Sequence, residues 1–168
     1  YNKKMKKISY LFISLILIIN ISACAGYKPV FSSSNIKFKI ADYSIIGDKK
    51  LGNKIYSKLN NISKLNKNNP DAQSVRVSIH ASVDKLATVK NSSGKILEYK
   101  INLNTNIIVY NFLTNEEVLN QNFNYYSSYK VQDQHSETLK LENQVIENLV
   151  NTTYQNTLIK ISESFTTK

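Results

Sequence analysis

An α+β two-layer sandwich is the fold this sequence predicts: a four-stranded, mostly antiparallel sheet covered by two helices, in the order β-α-β-β-β-α. Three observations predict it. Apolar residues recur at helical spacing in two places, from Leu51 to Ile62 and from Leu139 to Phe165. Between them lie three long runs of two-residue alternation, separated by turn-forming clusters. Each run has one apolar and one polar face, the pattern of a sheet packed on one side and wet on the other. A chain of 168 residues without internal repeats suits one domain.

Ile36 to Ile40 alternates, with Ile36, Phe38 and Ile40 opposed to Lys37 and Lys39, and reads as a short first strand. Gly47-Asp48 opens a helix with Asp48 as its N-cap. Leu51, Ile55, Leu59 and Ile62 form its stripe, and it should end near Ser63 to Leu65, before a turn over Asn66 to Asp71. The second strand covers Ser74 to Val89, with Val75, Val77, Ile79, Ala81 and Val83 on one face; the pattern loosens near Lys85. Asn91 to Gly94 is a hairpin turn. The third strand runs from Lys95 to about Leu113, with Leu97, Tyr99, Ile101, Leu103, Thr105, Ile107 and Val109 on one face. After a turn at Asn115-Glu116, the fourth strand runs from Glu117 to about Val131, with Leu119, Phe123, Tyr125 and Tyr129 inward. From Ser136 to Phe165 the period is helical, either as one helix or as two broken near Thr152-Thr153. Its stripe is Ile146, Val150, Tyr154, Leu158, Ile161 and Phe165, widened by Leu139, Val145 and Leu149.

The first residues have a different character. Lys3, Lys4, Lys6 and Lys7 surround Met5, a candidate start, and an uncharged run from Ile8 to Ile21 follows. That run fits the apolar core of an export signal and is short of the roughly 20 residues needed to span a bilayer. Ile21-Ser22-Ala23-Cys24 comes next and resembles the lipobox of bacterial lipoproteins. The resemblance implies a signal peptide over 1–23, a diacylglycerol on the sulfur of Cys24, and an N-acyl chain on its amine after cleavage. Two or three acyl chains hold a soluble domain on a bilayer, where a single chain is marginal. Ala25, a residue other than aspartate, implies sorting to the outer membrane. Residues 24–35 then form a tether and 36–168 the domain.

Formal charge is +10, and loss of the four leading lysines takes it to +6, since no acid precedes Cys24. Such a surface suits an anionic partner. Arg76 is the lone arginine, which weighs against nucleic acid, where arginine is the usual bidentate reader. One cysteine excludes an internal disulfide and a thiolate zinc cluster. His80 and His135 have no acid or cysteine at ligand spacing, and no glycine-rich phosphate loop or placed nucleophile is present. The chain reads as a non-enzyme without cofactor or metal.

Four lysines, Lys85, Lys90, Lys95 and Lys100, flank the Asn91 to Gly94 turn and are candidates for binding a phosphorylated lipid; ordinary solvated charge is the plainer reading. Asn102, Asn104 and Asn106, with Asn120, Asn122 and Asn124, form polar strand faces that would meet either a polar protein wall or water. Tyr125, Tyr126 and Tyr129, with Tyr110 and Phe112 across the hairpin, read as core and cross-strand packing, with an interface as the rival reading.

Cys24 followed by Ala25 and then Gly26-Tyr27-Lys28-Pro29-Val30-Phe31, together with the element order and the length after Cys24, resembles the LptE family of lipopolysaccharide-assembly lipoproteins. Ala25 is an extra residue relative to the family's usual opening. The resemblance implies a plug and assembly factor inside the β-barrel of LptD, at the periplasmic face of the outer membrane. It also implies assistance in lipopolysaccharide delivery to the cell surface. Two other classes stay open: an auxiliary periplasmic lipoprotein of an ABC-type lipid transporter, and a pilotin-like chaperone of another outer-membrane pore.

Overall fold

The computed structural model describes residues 37–166. The expected signal peptide, Cys24, the tether and Ile36 lie outside the described residues. The elements are β1 (Phe38–Gly47), α1 (Lys49–Leu65), β2 (Gln73–Lys90), β3 (Ile96–Asn111), β4 (Glu117–Lys130) and α2 (His135–Thr166). The four strands form one sheet in the order β1-β2-β3-β4. β1 pairs parallel with β2, while β2–β3 and β3–β4 are antiparallel. The parallel pair follows from connection length: two residues can join antiparallel strands, but parallel neighbours need a crossover, which α1 supplies.

Gly47 and Asp48 make the passage from β1 to α1. Gly47 has φ +82°, and a Cβ there would stand 2.2 Å from the carbonyl oxygen of Ala81. Asp48 donates its N–H to that oxygen at 2.7 Å. Its carboxylate accepts from the Leu51 N–H at 3.0 Å, satisfying one of the free donors of the first helical turn. Leu51, Ile55, Leu59 and Ile62 are buried, as their spacing requires.

Both helices lie on the apolar face, α1 against β1 and β2, α2 against β4 and β3. The core joins Val75, Val77 and Ile79 of β2 to Ile101, Leu103, Ile107 and Val109 of β3, under the two helices. Each such side chain contributes about 1.5–3 kcal/mol on removal from water.

Three expectations are corrected. β1 runs to Gly47 rather than Ile40, because a bulge between Ile40 and Asp42 shifts the alternation and hides the strand's second half. β3 ends at Asn111, short of Leu113: the Asn111 side chain accepts from the N–H groups of Leu113 (2.9 Å) and Thr114 (3.1 Å) and starts the turn there. α2 is one unbroken helix, which is one of the two expected forms, but its buried seam is Leu149, Val150, Thr153, Thr157 and Ile161 in place of the full expected stripe. Ile146, Tyr154, Leu158 and Phe165 flank that seam half-buried. Threonine reads as polar, yet the hydroxyls of Thr153 and Thr157 donate to the carbonyls of Leu149 (3.0 Å) and Thr153 (2.8 Å) and so enter the core satisfied.

Candidate functional site

The β2–β3 hairpin carries the lysines singled out from sequence. Its turn is shaped by Asn91, whose side-chain oxygen accepts from the N–H groups of Ser93 (3.1 Å) and Lys95 (2.8 Å), and by Gly94 at φ +83°. β2 carries irregularities between Ala87 and Lys90. Val131 donates to the Leu97 carbonyl, and α2 begins at His135, so the hairpin beyond Leu97 extends past the helix start. Leu97 is consequently about two-fifths exposed, as is Leu139 in the first turns of α2, whereas Leu86 and Val89, paired with Lys100 and Glu98, are exposed on the face that no helix covers.

The strand pleat divides the four lysines. Lys85 pairs with Ile101 and belongs to the helix-covered face; Lys100 pairs with Leu86 and belongs to the open face. Lys85 bonds to Glu142 of α2 at 2.5 Å, and the Tyr129 hydroxyl donates to the same carboxylate oxygen at 2.7 Å. The Lys85 ammonium also stands 4.4 Å from the ring centre of Tyr99. Lys85 is therefore tied to Glu142, Tyr99 and Tyr129, and the four candidate lysines do not share one face. Lys95 shares with it a cavity of about 310 Å³, lined also by Ile96, Tyr99, His135, Leu139 and Glu142. Lys90 is exposed at the hairpin end. Lys100 lies with its ammonium 3.9 Å from the ring centre of Tyr126, beside Asn102, Asn104 and Asn124.

Burial acts to raise the Glu142 carboxyl, but hydrogen bonds from Lys85 and Tyr129, with the charges of Lys85 and His135, hold it below its ordinary 4.5. Burial acts to lower the Lys85 ammonium, and the bonds to Glu142 and Tyr129 override it, so it titrates above 10.5. Glu142, Tyr99 and Tyr129 were missed as a unit in the sequence. The available signal was a lysine at an inward-facing position of β2, which demands a carboxylate partner from another element.

On the open face the amides align across strands, Asn104 opposite Asn124 and Asn106 opposite Asn122. Asn106 donates to the side-chain oxygens of Asn120 (3.0 Å) and Asn122 (2.9 Å). This face holds a shallow depression of about 490 Å³ that includes His80, Ser82 and Asn104. The tyrosines do not gather: Tyr129 is buried against Tyr99, Tyr125 stacks on Phe123, Tyr126 is exposed on the open face, and Tyr110 pairs with Glu117 at the far end of the hairpin. Among the described residues no group of three or more His, Cys, Asp or Glu is placed to hold a metal, and no helix is long and apolar enough to cross a membrane.

No protein-family model matches the chain. No curated protein matches it either. Solved structures do. A protein assigned as a lipoprotein from Caulobacter crescentus CB15 superposes with a TM-score of 0.55 at 10% identity, covering 80% of this chain and 94% of that one. An uncharacterized lipoprotein B from Nitrosomonas europaea gives 0.58 at 16%, covering 84% and 93%. The rare lipoprotein B from Shewanella oneidensis gives 0.47 at 15%, covering 75% and 94%. At these identities the likeness is one of fold, and the first two proteins carry it.

Proposed function

We propose that this chain is a bacterial envelope lipoprotein, anchored through Cys24, that serves without catalysis as plug and assembly factor of a lipopolysaccharide-translocating β-barrel similar to LptD in the outer membrane. The observation that carries the proposal is the β2–β3 hairpin end. Lys90 and Lys95 are exposed there, on a hairpin that also carries exposed Leu86, Val89 and Leu97. Cations and apolar side chains on one hairpin match an amphiphile whose phosphates adjoin acyl chains, which is the chemistry of lipid A. The fold supports the reading as the one adopted by the lipoproteins of Caulobacter and Nitrosomonas. The opening around Cys24 and Pro29 adds the resemblance to the LptE family. The amide face suits a polar barrel lumen, where paired hydrogen-bonding side chains replace water.

Copurification tests it. The full chain, tagged at its C-terminus and extracted in mild detergent, should bring along a large β-barrel. Recovery with an inner-membrane ATPase complex favours the auxiliary-transporter reading instead, and a different pore favours the pilotin-like one. Cys24→Ser tests the anchor: unprocessed precursor should accumulate, and normal processing of that variant would refute lipidation.

A further inference from the structure

The sheet has two edges, β1 and β4, and they are built differently. β1 is bulged after Ile40 and carries Lys39 and Asp42. β4 keeps unbroken register with β3 from Leu119 to Lys130, and no charge, glycine or proline lies between Val118 and Tyr129. Natural proteins ordinarily blunt such an edge, because its free backbone groups are a template for another strand.

The direction of those groups follows from register. Val131 donates to Leu97, so in this ladder the odd-numbered residues of β4 bond to β3. Positions alternate in an antiparallel pair, so Asn120, Asn122, Asn124, Tyr126, Ser128 and Lys130 turn their N–H and C=O outward. Two contacts agree with this parity: the carbonyls of Asn122 and Lys130 accept from the side chains of nearby Gln121 (3.0 Å) and Gln132 (3.2 Å). All six residues are exposed, and among the described residues no strand pairs with this edge.

We propose that β4 is a self-association edge, on which two copies of this chain pair antiparallel about a two-fold axis at Asn124 to give a continuous eight-stranded sheet. An alternating row of donors and acceptors is satisfied by an extended backbone, not by a lipid or a sugar. The charges select a second copy. Glu117 stands at one end of the edge, on the open face where Asn120 donates to it, and Lys130 stands at the other end. Antiparallel self-pairing brings each Glu117 alongside the other copy's Lys130. It also sets Asn120 opposite Ser128 and Asn122 opposite Tyr126, with about ten new backbone hydrogen bonds. The inference rests on backbone geometry and is independent of the lipid-transport reading.

The test is sedimentation of the full chain alone in density-matched detergent over a range of concentrations. The expected wild-type result is a dimer that dissociates on dilution. Asn124→Lys faces two like charges across the axis and should weaken it at least tenfold, whereas Ser82→Lys, on the same face two strands inward, should not. Glu117→Lys should weaken the dimer, and adding Lys130→Glu should restore it. A wild-type monomer at every concentration overturns the proposal. So does equal loss from Ser82→Lys, or a double reversal as weak as the single one.

Discussion

Lys85 occupies a position that the alternation of β2 assigns to an apolar side chain, and the structure gives it Glu142 and two tyrosine rings instead. The Lys85 side chain keeps 38% of its surface exposed, so water screens the pair in part. Because Glu142 is held below 4.5, its contribution is present above that value and is lost as pH falls through the lower folded value. Glu147 behaves alike, held down first by its hydrogen bond from Lys54 and then by that from Lys58. Glu142→Gln should therefore lower the melting temperature at pH 7 and flatten its fall below about pH 4.5; melting curves from pH 3 to 7 measure both. Lys85 titrates above 10.5, so its share is complete below that pH and fades only in strong alkali. Asp48→Ala removes a single cap bond and should cost about 1 kcal/mol in urea unfolding.

At the scale of elements, α2 shows how packing chooses among the faces of an amphipathic helix. Val150 is fully buried, whereas Leu158 sits at the margin of the seam. Val150→Asp places an unpaired charge in the core and should cost more than about 4 kcal/mol, enough to unfold a small domain. Leu158→Asp can turn its carboxylate toward water and should cost clearly less. Denaturant unfolding of the two variants, ranked against each other, tests the seam; equal losses would restore the stripe read from spacing. The same element explains why Thr153 and Thr157 were illegible as core. Their hydroxyls bond to the preceding turn, and nothing in a sequence marks a threonine that does so.

At the scale of the whole molecule, two helices on one face leave the other face polar and leave the β2–β3 hairpin projecting past the start of α2. Charge reversal at Lys90 and Lys95 should weaken binding to lipopolysaccharide severalfold at low salt with the melting temperature unchanged, since both side chains are exposed. Unchanged affinity in a direct binding assay would remove the hairpin from the lipid site. Element order, the cap at Asp48, the inward residues of β2 and β3 and the amide rows of the open face were determined by the sequence alone. They depend on period and on local hydrogen bonding, which neighbouring residues carry by themselves. The end of β1, the seam of α2, the parting of Lys85 from Lys100 and the union of Lys85 with Glu142 and Tyr129 were decided by tertiary structure alone. A bulge changes the phase of a strand without changing its composition, and partners 57 residues apart meet only when β2 and α2 pack together.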